Sequence, residues 1–361
     1  MAGGFKLFLT ASLVGLAAAG CWRSAGLGAG APDGGDTETD TLGGLTDPDT
    51  DGPWFYEWAS SDVPTGDDLS GVYGFSSSDV FAVGENGTIL HFDGAEWSGM
   101  AYPADAPGSD LGGVWGSSPS DVFAVGSDGA IIRYDGALWS AMDSGTSAHL
   151  HDVCGRAPDD VYAVGDDGTL LAYDGATWSP IATGPDRNLF AAWCAPGTAV
   201  YAAGHANDAF ASSVLLGYDG AIAEISHPIA DFLYALGGVA PDTVFIGGTY
   251  QTASEDLHFE ISKSEGGADF ENSIDHYALL IDLFAVGPTE LFAVGRWMPG
   301  GSDPGAVYIL TYKQGTMYDN LMIAVDIYLR GVWCDPDDAM GIAFAVGDDG
   351  TIFHGVPTQA Y

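Results

Sequence analysis

A segment of about thirty residues recurs along this chain, and its repetition limits the possible folds more than any other feature of the sequence. The clearest copy extends from Leu111 to Trp139 and reads LGGVWGSSPSDVFAVGSDGAIIRYDGALW. Seven copies can be aligned, and the leucines with which they begin are 39 to 49 residues apart: Leu69, Leu111, Leu150, Leu189, Leu233, Leu280 and Leu329. Because a period of this length is typical of solenoids and propellers, we expect a stack or ring of similar units.

Each copy predicts four short strands separated by turns. The first strand is the L-x-G-V-W segment, and the second is Val-Phe-Ala-Val-Gly at residues 122–126. An Asp-Gly or Asn-Gly pair follows, as at residues 128–129, and predicts a two-residue hairpin turn in which both central residues have positive φ. A second Asp-Gly pair separates the third strand from a fourth strand that carries Trp97, Trp139 or Trp178.

The second strand distinguishes a propeller from a sandwich, because its residues are apolar on both faces. The strand has four apolar residues in succession, Val122, Phe123, Ala124 and Val125. A sandwich strand with one solvent-exposed face would instead alternate apolar and polar residues. A strand that is buried on both faces needs a neighbouring sheet on each side, and radially packed blades provide one. The sequence therefore predicts an all-β, seven-bladed β-propeller of four-stranded antiparallel blades over residues 53–361.

The last copy lacks its fourth strand, since no Asp-Gly-x-x-Trp follows its third. The missing strand is predicted ahead of the first copy, where residues 51–60 read DGPWFYEWAS. They provide a turn, a strand at about 53–60, and Trp54 or Trp58 in the place of Trp97. Because an open ring would leave two unpaired strand edges, we expect this N-terminal strand to complete the seventh blade.

The repeat also carries a family resemblance. The run VWGSSPSDVFAVG at residues 114–126, with YDG-x-x-W at residues 134–139, resembles the propeller repeats of lipoproteins from myxobacteria and related bacteria. It is also similar to the photosystem II assembly-factor-like and Asp-box (BNR) propeller group, over residues 69–355. The resemblance implies the fold but little about function, because propellers host many unrelated activities. The Asp-box pattern expects Ser/Thr-x-Asp-x-Gly-x-Thr-Trp, and YDGATW at 173–178 keeps only its second half.

Residues 1–20 predict an export signal. Lys6 precedes an apolar run that is too short to span a membrane as a helix and that ends in small residues. LAAAGC, ending at Cys21, resembles a bacterial lipobox, although Ala18 stands where leucine is usual. We predict cleavage before Cys21 and its acylation, with an ordinary secretory signal as the alternative. Trp22 is not the aspartate that retains lipoproteins in the inner membrane, which favours the outer membrane or cell surface.

Residues 21–52 predict an acidic, flexible tether. They are rich in Gly, Ala, Asp and Thr and contain few large apolar side chains, so they cannot form a core. Asp47, Asp49 and Asp51 match the start of an EF-hand loop, but Trp58 occupies the position of the bidentate glutamate. A solvated linker is the preferred interpretation, calcium binding is the alternative, and no other cofactor is expected.

The net charge of −41 excludes one class of partner. With nine lysines and arginines against fifty aspartates and glutamates, the chain would repel nucleic-acid phosphates. A strongly acidic surface suits basic partners or divalent cations, and it also keeps an exported protein soluble, which is the preferred explanation.

Three cysteines follow Cys21, and each lies near the end of the first strand of its copy: Cys154, Cys194 and Cys334. Cys154 and Cys194 belong to neighbouring copies and could form a disulfide in an oxidising compartment. The odd number leaves at least one cysteine reduced or paired outside the domain. No CxxC motif is present, so the sequence does not support a zinc or thioredoxin-type site.

The third position of the predicted inner strands is small in five copies and aspartate in two: Gly71, Gly113, Asp152, Ala191, Ala235, Asp282 and Gly331. Small residues suit the crowding near a propeller axis. Asp152 and Asp282 fall in the third and sixth copies, which places them on nearly opposite sides of the channel. They could hold a water or a metal cation, and the preferred alternative is that they are solvated channel residues.

Copies four to six carry insertions between their second and third strands, at residues 205–213, 249–256 and 296–305. Because the three slots are equivalent, these loops are expected on one face, which is the best candidate for a partner site. Residues 264–277 and 314–325 are predicted to lengthen other connections.

Motifs for catalysis are missing from the sequence. There is no Gly-x-Ser-x-Gly, His-Glu-x-x-His or P-loop. Five arginines occupy unlike positions in their copies, so they do not indicate the three-arginine carboxylate site of sialidase-like propellers: Arg133, Arg156, Arg187, Arg296 and Arg330. His91 and His354 share one slot of the third strand and are expected to be packed rather than ligands.

Three hypotheses remain, in order of preference. The first is a surface-anchored, non-enzymatic propeller lipoprotein that binds an unknown envelope or extracellular protein, or assists envelope assembly, through the loops of blades 4–6. The second is a glycan-binding propeller, supported by the abundant Trp and Tyr. The third is a sialidase-like hydrolase or lyase with a central pocket.

Overall fold

Twenty-eight β-strands and four short 3-10 helices lie in the part of the chain that the structure describes. The computed structural model describes residues 55–106, 110–184, 186–197, 199–207, 212–228, 231–240, 243–251, 257–265, 271–276, 279–288, 290–297, 306–313, 316–323, 327–335 and 341–358. The strands form seven four-stranded antiparallel sheets arranged as blades, which confirms the predicted fold class. The predicted signal, Cys21, and the EF-hand-like aspartates Asp47, Asp49 and Asp51 lie outside the described residues.

The first four blades follow the order of the chain from the channel outward. Blade 1 consists of β2 (Leu69–Ser76), β3 (Asp79–Gly84), β4 (Ile89–Phe92) and β5 (Trp97–Gly99). Blade 2 consists of β6 (Leu111–Ser118), β7 (Asp121–Gly126), β8 (Ile131–Tyr134) and β9 (Trp139–Met142). Blade 3 consists of β10 (Leu150–Ala157), β11 (Asp160–Gly165), β12 (Leu170–Tyr173) and β13 (Trp178–Pro180). Blade 4 consists of β14 (Arg187–Cys194), β15 (Val200–Ala206), β16 (Ser213–Tyr218) and β17 (Ile222–Glu224).

The last three blades have the same arrangement, except that blade 7 takes its outer strand from the N-terminal side. Blade 5 consists of β18 (Phe232–Ala240), β19 (Thr243–Gln251), β20 (Leu257–Glu265) and β21 (Glu271–His276). Blade 6 consists of β22 (Leu279–Gly287), β23 (Glu290–Trp297), β24 (Ala306–Lys313) and β25 (Thr316–Ile323). Blade 7 consists of β26 (Leu329–Cys334), β27 (Ala343–Gly347), β28 (Thr351–Thr358) and β1 (Phe55–Ser60).

The core lies between blades, as the second strands predict. In β7, residues Val122 to Val125 are all fully buried. Phe123 and Val125 pack with apolar residues of blade 3, whereas Val122 and Ala124 pack with apolar residues of blade 1. Each face of the strand therefore belongs to a different interblade core.

Glycine ends most of the second strands because the backbone of the inner strand approaches too closely for a side chain. A Cβ at Gly126 would lie 2.0 Å from the carbonyl oxygen of Asp110, and the same clash recurs at Gly84 and Gly347. The hairpin turns that follow have the predicted conformation, with φ of +54° at Asn86 and +71° at Gly87.

The inner strands of adjacent blades meet through an aromatic ring set against a glycine. Trp333 of blade 7 covers Gly74 of blade 1, where an added Cβ would lie 2.6 Å from the ring. Trp115 covers Gly155 in the same way, and Trp193 covers Gly238. We call this recurring contact the ring–glycine slot.

A disulfide occupies the ring–glycine slot between blades 3 and 4. Cys154 stands at the aromatic position of β10, and Cys194 stands at the glycine position of β14. The structure joins the two as a disulfide with their Cα atoms 5.6 Å apart. Cys334, at the glycine position of blade 7, is buried, with its Sγ 3.4 Å from the carbonyl oxygen of Gly341.

The N-terminal strand closes the ring, as predicted. β1 pairs antiparallel with β28 along its whole length. Trp58 pairs with Gly355 of the third strand of its blade. In blade 1, Trp97 pairs with Phe92, which holds the corresponding position of the third strand. Trp58 is therefore the equivalent of Trp97. Tyr56 packs edge-on against Phe292 of blade 6, with ring centroids 5.0 Å apart.

The prediction of long connections at 264–277 and 314–325 was wrong. Most of these residues form β20, β21 and β25, so blades 5 and 6 have full outer strands without the Asp-Gly-x-x-Trp signal. The outer edge of the third strand presents unpaired N–H and C=O groups, and pairing them outweighs the missing local signal.

Removal of the closing strand should destabilise the whole ring. Deleting residues 55–60 would expose the edge of β28 and uncover the blade 7 core, so we expect loss of several kcal/mol of unfolding free energy, measured by urea titration. Deleting residues 22–50 should leave the unfolding free energy unchanged, because that segment contains few large apolar side chains. Equal effects of the two deletions would contradict the closure.

Candidate functional site

The inner strands surround a central channel that widens at both ends. One cavity, of about 480 Å³, is lined by the first residues of the inner strands and by Glu85, beside a hairpin turn. We call this end the turn face, because the connections between second and third strands lie there. The other cavity, of about 720 Å³, is lined by the later residues of the inner strands. We call this end the tail face, because β1 begins and β28 ends there.

Asp152 and Asp282 lie at the waist of the channel, since both line both cavities. Each carboxylate accepts one hydrogen bond within its own blade and one from the next blade. Asp152 accepts from the N–H of Val153 at 2.7 Å and of Ala192 at 2.8 Å. Asp282 accepts from the N–H of Leu283 at 2.8 Å and of Val332 at 2.9 Å. The two side chains therefore bridge blades 3 and 4 and blades 6 and 7.

The environment of these aspartates favours the neutral carboxyl. Burial raises the pKa of Asp152 and of Asp282 to about 7, against the lowering effect of the backbone N–H groups. The charge of Asp152 further raises the pKa of Asp282, as expected for two carboxyls that share one channel. The raised pKa values distinguish this pair from the turn carboxylates of Asp93 and Asp135, whose pKa is lowered by backbone N–H groups.

The predicted cation or water site at this pair remains a prediction. Among the described residues, no group of three His, Cys, Asp or Glu side chains is placed to hold a metal ion. The bridging hydrogen bonds show a structural use for both aspartates that the sequence did not reveal.

Six rings from blades 3, 4 and 5 form a continuous, partly exposed cluster at the turn face, which we call the ring cluster: His149, His151, Phe190, His205, Phe232 and Tyr234. Neighbouring ring centroids are 4.5 to 5.8 Å apart. Four of the rings also line the cavity, namely His149, His151, Phe190 and Tyr234. Partly exposed rings in mutual contact provide a rigid apolar surface with polar ring edges.

The ring cluster is bordered by acidic groups. The Nε2 atom of His151 lies 2.8 Å from Oδ1 of Asp166. Burial nevertheless lowers the pKa of His151, and the neighbouring His149 lowers it further. Glu85 and Asp110 line the same cavity, and Arg330, on its opposite side, is bonded to Asp348 and Asp68.

The predicted arginines do not converge. Arg133 pairs with Asp121 at 2.6 Å, and Arg156 pairs with Asp160 at 2.7 Å, each within its own blade.

His91 and His354 occupy the same position of the third strand but have different environments. His91 lies 2.7 Å from Asp79, whereas His354 stacks on Phe344 with centroids 4.6 Å apart.

The strands that flank the three predicted insertions end at the turn face. These are β15 and β16, β19 and β20, and β23 and β24, the second and third strands of blades 4 to 6. His205 lies near the end of β15, so the ring cluster adjoins the first insertion. Most residues of the three insertions lie outside the described part of the chain.

Sequence reasoning missed the ring cluster. Five of its members flank the repeat leucines Leu150, Leu189 and Leu233, at positions where copies one and two carry Asp, Ser or Gly. Because residues on either side of a strand position point to the same face, the change to rings in three successive copies was a usable signal.

The fold and channel define a closed seven-bladed propeller with two chemically different cavities, and this architecture is found in known structures. A structure described as "YCF48 bound to D1 peptide" matches with a TM-score of 0.61 at 15% identity, covering 82% of this chain and 96% of that chain. YCF48 from Cyanidioschyzon merolae gives a TM-score of 0.59 at 13% identity, covering 82% and 98%.

A propeller of lower sequence identity, the WD40 repeats of RRP9, gives a TM-score of 0.64 at 9% identity and covers 83% of this chain and 97% of that chain. At these identities the likeness establishes the fold alone. No protein-family model matches the chain, and no curated protein matches it. Within the described residues there is no helix long and apolar enough to cross a membrane.

The stability of the protein should depend on the protonation of the channel aspartates. Since the pKa of Asp282 is raised from 3.8 to about 7 in the folded state, folding favours the protonated carboxyl. The protonated carboxyl of Asp282 therefore contributes to the unfolding free energy at low pH, and this contribution is lost as the pH rises towards 7. We expect D282N to gain about 2–3 kcal/mol relative to the wild type between about pH 5 and pH 8, in urea titrations.

The matched control is D128N, in an exposed turn where blade 1 already has Asn86. Its stability difference from the wild type should stay constant over the same range. A D282N difference that also stays constant would contradict the inferred proton uptake.

Proposed function

We propose that this protein is a non-enzymatic, protein-binding propeller, anchored to the cell envelope through Cys21, that contacts its partner with the turn face. The observation that carries the proposal is the ring cluster. Six partly exposed rings lie together beside a cavity of about 480 Å³. Binding energy in protein interfaces concentrates on aromatic side chains that fill or border pockets.

The position of the ring cluster adds support. It adjoins the connection between the second and third strands of blade 4, so a partner that covers it would also meet the inserted loop of that blade. The acidic groups around the cavity, Glu85, Asp110 and Asp166, favour a partner that presents basic groups around an apolar centre. The "D1 peptide" of the similar YCF48 structure is an instance of a propeller with a bound peptide.

The direction of the chain supports an outward-facing turn face. β1 begins at the tail face, opposite the ring cluster, so the chain enters the propeller at that face. A tether attached there would leave the turn face accessible from outside the membrane. Two or more acyl chains on Cys21 would provide stable anchoring, because a single chain binds only marginally.

Replacement of a central ring should remove partner binding without unfolding the protein. Chemical crosslinking on intact cells, isolation through a C-terminal tag and mass spectrometry should recover a partner with the wild type, and F190A should reduce its yield at least about tenfold. L138A is the matched control, since Leu138 is an exposed apolar residue, at 59%, in blade 2. Equal yields from F190A and L138A would contradict the proposal. Failure to crosslink any protein, with binding on a glycan array, would favour the glycan hypothesis.

The lipid anchor can be tested separately. Metabolic labelling with an alkyne-bearing fatty acid should mark the wild type, and C21S should lose the label and leave the membrane fraction. The double variant C154S/C194S, which retains Cys21, should keep the label. Label that persists in C21S would contradict acylation at this residue.

A further inference from the structure

The tail-face cavity has aromatic walls and a carboxylate floor. Its volume of about 720 Å³ lies in the range of ligand-binding pockets, and residues of all seven blades line it. Five partly exposed rings contribute to the wall: Tyr73, Phe75, Trp115, Trp193 and Phe284. Asp152 and Asp282 form the inner end, and none of the described residues that line the cavity is a lysine, arginine or histidine.

The rings are held in place by the blades rather than by a ligand. Trp115 stacks on Phe123, with centroids 6.4 Å apart, and Trp193 stacks on Tyr201, with centroids 5.7 Å apart. Trp115 also covers Gly155 of the next blade. A guest would therefore meet preformed ring surfaces, which lowers the entropic cost of binding.

The carboxylates retain capacity for a further donor. A carboxylate offers about four lone-pair positions, and the structure shows two backbone N–H donors on each of Asp152 and Asp282. Burial without a cation disfavours their ionised forms, and a cation at the waist would reverse that effect. Aromatic faces attract cations as well, so the rings and the two aspartates both favour a cationic ligand.

We propose that the tail-face cavity binds a basic side chain, arginine or lysine, from an extended peptide segment of another protein. Arginine and lysine each carry a cation at the end of an apolar stem, which matches a cavity with rings along the wall and carboxylates at the inner end. The chain's own residues 22–52 are unsuited as the occupant, because they are strongly acidic. This site is separate from the ring cluster and does not depend on it.

The test uses a fluorescein-labelled octapeptide that alternates arginine and leucine, and its counterpart with citrulline at each arginine position. Citrulline preserves the shape of arginine but has no charge. Fluorescence anisotropy with the full chain should show binding of the arginine peptide and at least about tenfold weaker binding of the citrulline peptide, the loss expected for a charge-assisted hydrogen bond. Equal affinities, or no binding of the arginine peptide, would overturn the proposal.

Variants locate the site. D282N should weaken binding of the arginine peptide at least about tenfold, whereas D128N, which removes the same charge at an exposed turn on the other face, should not. An equal loss in both variants would show attraction to the acidic surface in general and would overturn the proposal. F190A should leave this affinity unchanged, which separates the result from the fate of the turn-face proposal. If D282N does not fold, D152N, which changes the other carboxyl at the same waist, takes its place in the comparison with D128N.

Discussion

Burial of the second strand on both faces is the constraint from which the rest of the structure follows. In β7, alternate side chains belong to the cores shared with blades 1 and 3, so no blade can bury its own second strand by itself. Stability therefore requires a neighbour on both sides of every blade, and a ring is the arrangement that supplies it. The strand β1 is needed for the same reason, because it completes the one blade that the repeat leaves short.

The inner strands show how the ring tolerates divergence among its copies. Where the repeat is intact, an aromatic ring covers a glycine of the next blade, as Trp333 covers Gly74. Between blades 3 and 4 the same slot holds the disulfide of Cys154 and Cys194. Beside that slot, Asp152 adds a hydrogen bond to the N–H of Ala192, and Asp282 does the same between blades 6 and 7. Where the sequence of a copy departs from the repeat, an interblade contact is thus retained by a different kind of interaction.

Most of the fold could be predicted because the repeat specifies backbone geometry residue by residue. Gly126 is required by the close approach of the Asp110 carbonyl, and the Asn86–Gly87 pair by its positive φ values. The outer strands of blades 5 and 6 could not be predicted in this way, because edge pairing does not depend on particular side chains. The ring cluster arises from residues about 40 positions apart in the chain, and only the order of the blades brings them together.

The two cavities differ in how closely their chemistry is tied to stability. Phe190 and Tyr234 lie beside the repeat leucines on the turn face, outside the interblade slots, so these positions can vary from copy to copy without disturbing the ring. Trp115 and Trp193 on the tail face also cover glycines of the next blade, so a change there would alter packing and recognition together. Residues of the turn face do not have to maintain interblade packing as well as contact a partner. The turn face is therefore the better place for a recognition surface specific to one partner. The tail face is suited to a general feature, such as a basic side chain, that the recurring geometry of the slot can recognise in many sequences.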